Sequence, residues 1–407
     1  MIEIDYSEFD LLRIQGINQF ACIKNCGFCC LCQPELSAEE LRELRKDVRI
    51  RQTIIDELIS GRKGHGFRMQ GEFGACAHLS RRSCAIYDKR PRFCAQFPFH
   101  IHMSKRAQVT VDLSCRGLWQ EDITKNKVEH VRDIHETAKE IVQKYPKGMF
   151  MQHYNHAKTN YETFEDNAKY ESVFVSEKNM REAASYLIPI LFTEDGVKKI
   201  VQAGEDFPFI EEKGEDIAKR VLEIKSDYDV DELLYEAMLF SLNVPIENAP
   251  VYLSPELEWL IFREKEGRIF VHTLEEDGKI SNIRDTGLEI KDVKFDINID
   301  EKKMFEWYMK VLVNRDAIYG NVALKVAGED YLDPLPEIYL STISDYVLDL
   351  CWRTWLFRNL YSSNLAISEH ANSKPTIFKH TISKPVKEAI IASDMDFMDA
   401  DTIGIIT

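Results

Sequence analysis

Long apolar runs are missing from these 407 residues. No stretch approaches the roughly 18 uninterrupted apolar residues that a membrane span requires, which excludes the bilayer as a home. Basic charge is missing at the amino terminus, where Met1-Ile2-Glu3-Ile4-Asp5 carries acid and neither an apolar core nor a small-residue cleavage site follows. Export is not expected from such a start, and a cytoplasmic location is. Repeats and low-complexity tracts are missing too, so solenoids and long disordered arms are poor candidates. Residues 121–407 contain no Walker loop, dinucleotide fingerprint, nucleophile–base pair or paired-carboxylate motif, which leaves that stretch silent about chemistry.

Positive charge is scarce and unevenly placed. The chain has 52 Lys and Arg against 68 Asp and Glu, a net charge of −16. Residues 1–120 hold 18 basic against 14 acidic side chains, and residues 121–407 hold 34 against 54. An acidic remainder argues against broad nucleic-acid binding, which needs cationic surface to displace phosphate counterions. Acidic runs such as Glu211-Glu212 and Glu275-Glu276-Asp277 read as a solvated face. A protein partner or protein substrate is the expectation that remains.

What is present is a foldable composition, 44% hydrophobic and 29% charged, in a chain longer than one core usually serves. Nine of the ten cysteines lie between Cys22 and Cys115. That shift in composition places a boundary near residue 120, giving a cysteine-rich domain over 1–120 and a mainly helical one over 121–407. The expected class is α+β, a small irregular cysteine-rich domain followed by helices with a small antiparallel sheet inserted at about 255–300.

Ser37-Ala38-Glu39-Glu40 has the spacing of a capping box, and Leu41, Leu44 and Val48 follow at helical intervals, so a helix starts after Ser37. The glycine-rich residues 61–74 break regular structure, and residues 108–113 alternate as a short strand leading to Cys115. Further helices are expected over 125–144, 183–192, 216–224, 231–242 and 337–360. The last places Ile343, Tyr346, Val347, Leu350 and Cys351 on one face, which makes Cys351 a packed apolar residue rather than a ligand. A hairpin over 259–262 and 269–273 turns about Gly267, and Val293, Phe295, Ile297 and Ile299 alternate as in a half-buried strand.

Five cysteines, Cys22, Cys26, Cys29, Cys30 and Cys32, fall within eleven residues. Such short spacings let thiolates converge on one metal, and Gly27 supplies the backbone freedom a tight curl requires. In a chain of this length without a signal, this clustering points to metal or redox chemistry rather than disulfides. A second group follows: Cys76 in Cys76-Ala77-His78-Leu79, Cys84 in Cys84-Ala85-Ile86-Tyr87, Cys94 in Arg90-Pro91-Arg92-Phe93-Cys94-Ala95-Gln96-Phe97-Pro98, and Cys115.

These stretches resemble the cysteine-cluster family called YkgJ-like, described as zinc- or iron-chelating and as iron–sulfur proteins, over about residues 20–116. Its pattern is a first knot ending in paired cysteines, then Cys-x-x-Leu, Cys-x-Ile-Tyr, Arg-Pro-x-x-Cys-x-x-Phe-Pro and a closing cysteine. The resemblance implies Cys22, Cys26, Cys29, Cys30, Cys76, Cys84, Cys94 and Cys115 as metal ligands. This chain departs from the usual first knot in opening with Cys-x₃-Cys and in adding Cys32, so the ligand set of the first group stays open.

Eight thiolates suffice for two Cys₄ sites or for one cluster with spare redox cysteines. Adjacent Cys29-Cys30 and the long gaps differ from zinc-ribbon arms, which favours iron–sulfur, of the 4Fe-4S kind and one or two in number, over zinc. Arg90 and Arg92 flank Cys94 and either stabilise an anionic cluster from beyond its ligands or form a surface pair without a role. His100 and His102 lie on one side of an extended segment, where an imidazole can replace a thiolate or stand clear of the metal.

Three functional readings follow. The first is an iron–sulfur protein whose action is redox or cluster-dependent, an oxidoreductase if it is an enzyme. The second is an S-adenosylmethionine-dependent protein-lysine methyltransferase, on a looser similarity to the flagellin lysine N-methylases. The third is a zinc-stapled interaction module. Cys22, Cys26 and Cys29 also have the spacing of the radical S-adenosylmethionine motif, but no series of strand–helix repeats accompanies them.

Overall fold

The computed structural model describes residues 9–58, 63–71, 74–145, 147–171, 175–205, 213–245, 249–328, 335–362 and 384–403. The class is α+β: short helices and small, mostly antiparallel sheets surround the cysteines, and long helices follow. Among the described residues no helix is long and apolar enough to cross a membrane.

Ser37 caps the helix Ala38–Leu44 with a complete capping box, its Oγ accepting from the Glu40 N–H while the Glu40 carboxylate accepts from the Ser37 N–H. The helix ends sooner than its periodicity predicts. Asp47 caps a separate turn, Val48–Arg51, and Val48 is 56% exposed rather than packed. Residues 61–62 and 72–73 of the glycine-rich stretch lie outside the described residues. Between them Lys63–Phe67 is a strand paired with Ile54–Glu57, contrary to the expected break. A Cβ at Gly66 would meet Leu58 Cδ2 at 2.8 Å, so the glycine there serves close packing inside a strand.

The expected helix over 125–144 divides into three elements. Gln120–Lys125 is one helix, Val128–Asp133 is a strand, and Ile134–Lys144 is a second helix whose N-cap, Asp133, accepts from the Glu136 N–H. The strand forms because it pairs with Gln19–Ile23, a long-range partner that helical periodicity does not reveal. The strand expected at 108–113 runs Ala107–Val111, between Phe99–Met103 and Phe9–Leu11.

Further along, Glu177–Leu191, Gly214–Glu223, Val230–Asn243 and Leu335–Ser362 are helices as expected. The hairpin is Trp259–Lys265 with Arg268–Leu274, joined through Glu266 and Gly267, both left-handed. It belongs to a four-stranded sheet completed by Tyr252–Leu253 and Ile280–Glu289. The expected strand over Val293–Ile299 is not one. Val293, Phe295 and Ile297 pack on the core while Ile299 is exposed, the Phe295 N–H donates to Asp231 rather than to a neighbouring strand, and Asn298 caps the helix Ile299–Val313.

A single apolar cluster joins Phe99, Leu113, Leu118 and Trp119 to Leu187, Phe305, Trp352 and Ile390, so the main core runs on across residue 120. Cys351 sits within it, 2% exposed, as a packed small apolar residue.

Candidate metal centre

The first knot is built on a strand end. Cys22 lies on Gln19–Ile23 opposite Glu129, and the pairing slips so that His130 and Val131 together face Ala21. His130 has φ 55° at this bulge, and bulges of this kind re-aim side chains beside functional sites. The chain then turns through Asn25 (φ 61°) and Gly27 (φ 65°) into the short helical turn Phe28–Cys30. A Cβ at Gly27 would lie 3.2 Å from Trp259, so both the left-handed backbone and the close approach require glycine.

The second group closes over the first. The Cys76 N–H donates to the Cys30 carbonyl at 2.8 Å, joining the two directly. Leu79–Ser80 and Ser83–Cys84 form a minimal hairpin through Arg81 and Arg82, both with positive φ, as a two-residue turn of this hand requires. Cys94 sits in the helix Arg92–Gln96, and Cys115 in a turn where its N–H donates to Asp112 O at 3.2 Å. A Cβ at Gly117 would fall 2.0 Å from the Ala21 carbonyl, so glycine lets the Cys115 turn press against the strand that bears Cys22.

All eight implied ligands therefore share one neighbourhood. The side chains of Cys29 and Cys30 are hydrogen-bond partners, and so are those of Cys30 and Cys84, so three sulfurs share hydrogen bonds. That sharing holds Cys29 down, brings Cys84 down to about 6 and drives Cys30 strongly up. Burial pushes Cys22 and Cys76 up to about 11 and Cys26 up to about 12, and it raises Cys94 and Cys115 as well. Thiols buried this way are poor thiolates unless a cation joins them, an environment that suits thiols serving as metal ligands. Among the described residues no group of three or more Cys, His, Asp or Glu side chains is arranged so that it could hold a metal ion. An all-sulfur donor set fits zinc or iron–sulfur and does not fit calcium or magnesium.

The two flanking arginines part company. Arg90 stacks on Tyr87 at 3.7 Å, donates to the Tyr87 carbonyl, and its charge acts on Cys22, Cys29, Cys84 and Cys94. Arg92 stacks instead on Tyr145 at 4.1 Å and donates to Gln96. His100 Nε2 lies 3.6 Å from Asp112 Oδ2, an ion-pair separation, and His102 Nε2 meets Tyr161 Oη at 3.1 Å. Cys32 is half-buried beside the knot.

Several residues of the second part reach this site unannounced by any motif. Trp259 donates to the Cys26 carbonyl and carries Arg82 over its ring at 4.2 Å; with Phe28, Leu79 and Leu253 it makes an apolar wall against Cys26 and Cys30. The carboxy-terminal helix Lys384–Ile403 clamps the Cys115 turn from both sides. Asp394 accepts from the Leu113 N–H, and Arg116 pairs with Glu388, Asp122 and the Tyr252 hydroxyl. The available signal was a pair of carboxylates, Glu388 and Asp394, on either side of the apolar run Ala389-Ile390-Ile391-Ala392, since acids beside such a run are buried and paired.

Residues 21–116 match the model of the CxxCxxCC family, whose description reads "putative zinc- or iron-chelating domain". This segment is thus a zinc- or iron-binding one, and residues 117–407 fall outside the match. No curated protein and no solved structure matches the chain significantly.

Proposed function

We propose that this segment holds iron as a sulfide-bridged cluster of the 4Fe-4S kind and that the protein's action in the cytoplasm, on or with a protein partner, depends on the cluster. The observation that carries the reading is the gathering of six thiols, those of Cys22, Cys26, Cys30, Cys76, Cys84 and Cys94, around Cys29, with Cys115 beside Cys22 and Cys26 and the Arg90 guanidinium acting on four of the eight. A thiolate-ligated cluster is anionic, and a fixed cation beside it stabilises the charge and raises the potential. Such a cluster supplies one-electron chemistry. The chain's own part is to hold the sulfurs, place Arg90 beside them, and exclude water with Trp259, Phe28 and Leu79.

Residues 1–120 act in this reading as the metal-binding part, and residues 121–407 as the scaffold that fixes the Cys26 and Cys115 turns and presents an acidic surface to the partner. The methyltransferase reading gains no support from the cavity beside the thiols. Its volume of about 190 Å³ is below the roughly 300–1,000 Å³ of pockets that bury cofactor-sized ligands.

The test is anaerobic purification of the full chain with metal and acid-labile sulfide analysis and an absorption spectrum. Iron with matching sulfide and a broad visible band is expected. Zinc without sulfide would overturn the cluster and turn the protein into a zinc-stapled module.

A further inference from the structure

The strand Val128–Asp133 is the outer member of a two-stranded ribbon. Its partner, Gln19–Ile23, packs against the Cys115 turn, where a Cβ at Gly117 would fall 2.0 Å from the Ala21 carbonyl. Among the described residues no third strand pairs with Val128–Asp133. The side chains from Glu129 to Asp133 are all exposed, Val131 by 54%. An open edge presents unpaired backbone N–H and C=O groups, a template on which another extended chain can pair.

This edge runs along the thiol cavity. Glu129, His130 and Arg132 line the cavity together with six of the cysteines. At the bulge His130 stacks on Tyr87, which fixes that side of the rim. The cavity's volume of about 190 Å³ equals about six waters at roughly 30 Å³ each, room for the end of one incoming side chain.

Charge decides what kind of chain fits. Glu129 is paired with Lys24 at 3.7 Å, and Asp133 is engaged as the cap of the following helix, accepting from the Glu136 N–H at 2.9 Å. Arg132 and Lys127 have no ion-pair partner among the described residues, and Arg82 and Arg90 add two more cations at the cavity. The edge is therefore cationic in a chain whose net charge is −16. Its bulge and its charge also hinder pairing with a flat or like-charged edge, that of a second copy included.

We infer that Val128–Asp133 docks an extended, carboxylate-bearing segment of the partner protein, which pairs with its outer edge as a third strand and passes the mouth of the thiol cavity. In such an addition the main-chain hydrogen bonds give affinity and the side chains give selection. Here Arg132 and Lys127 select for acid. The inference rests on the reading that the protein acts on or with a protein partner, and it stands whichever metal the thiols hold.

The experiment uses the full chain and a fluorescent peptide of alternating threonine and glutamate, with binding read by anisotropy. Two control peptides carry lysine in place of glutamate, or an N-methyl group on every backbone nitrogen. Hydrogen exchange of residues 128–133 is followed with and without the acidic peptide. The Arg132→Glu and Val131→Pro variants are checked for folding by circular dichroism and for metal content. The acidic peptide is expected to bind, more weakly as salt rises, and to slow exchange in Val128–Asp133. Neither control peptide is expected to bind, and Arg132→Glu and Val131→Pro are each expected to weaken binding several-fold. No binding of the acidic peptide, equal binding of either control, no protection of Val128–Asp133, or undiminished binding by Arg132→Glu would overturn the inference. Metal and sulfide are measured on the same preparation, so a chain that binds the peptide but holds no metal would remove the cluster reading and leave the docking edge standing.

Discussion

The cysteine knot and the helical body are held by different means. Around the cysteines the elements are short: two-residue strands, a three-residue helical turn and a five-residue helix, Arg92–Gln96. The body is built on helices such as Leu335–Ser362, buried along most of its length, and on charges paired inside the core. A segment with little regular structure and many buried thiols takes its stability from what the thiols bind, while packed helices take theirs from apolar area. The contrast shows why one region announces its chemistry and the other does not.

Removal of the metal is the largest test of that contrast. Structural zinc in small domains is worth on the order of 10–16 kcal/mol, so chelation under reducing, anaerobic conditions is expected to open residues 20–116 to protease while far-ultraviolet circular dichroism keeps most of its helical signal. Loss of the helical signal in step with the metal would break the comparison. It would show that the clamp of Asp394 and Glu388 on the Cys115 turn makes one cooperative unit of both regions.

The next effect lies in the body. Arg315 makes two hydrogen bonds to Asp394, at 2.5 and 3.0 Å, and both side chains are fully buried. Arg315→Met leaves Asp394 with the Tyr308 hydroxyl and the Leu113 N–H but without its counter-charge, at an expected cost of about 3–5 kcal/mol. The double variant Arg315→Met/Asp394→Leu should recover much of that loss in urea denaturation. If the double variant is no more stable than the single one, Asp394 matters chiefly through Leu113, and the body's charge pair serves the knot.

How far the sequence discloses this arrangement differs between the regions for a physical reason. Ligand spacing is local, so the cysteines, the Ser37 cap and the Gly27 turn are legible in a few residues each. The long helices are legible because their periodicity repeats over many turns. Pairing of Val128–Asp133 with Gln19–Ile23 is not, because a strand so short carries little period and its partner lies a hundred residues away. The Val293–Ile297 alternation is real as a burial pattern, yet among the described residues no strand pairs with it. Trp259, Glu388 and Asp394 reach the site through tertiary packing alone, and residue type gives only the hint that buried acids need partners. The boundary expected near residue 120 rests on composition alone, and one apolar cluster contains residues from both sides of that position.

The smallest effect tests the seam between the regions. His102 lies on the strand Phe99–Met103, which leads from Cys94 toward the body, and its imidazole meets Tyr161 of the helix Lys147–Glu171, with Asp316 and Arg181 as the charges that act on it. Burial holds it down to about 4, with the nearby Arg181 adding to the depression and Asp316 opposing it. In the unfolded chain a histidine titrates near ~6.5. Above that value both states are neutral and pH has no effect through this group. As pH falls below it, the unfolded state takes up a proton that the folded state refuses, and stability drops until the folded imidazole titrates as well. Between pH 7 and pH 4.5 the loss through His102 is about 2–3 kcal/mol. His102→Gln, which keeps a polar group against Tyr161 without the titration, should lose less stability than the parent over that interval by about this amount. An equal acid loss in both proteins would place the sensitivity elsewhere, in the buried carboxylates of the body, and would mean that the seam at His102 is as tight as the core behind it.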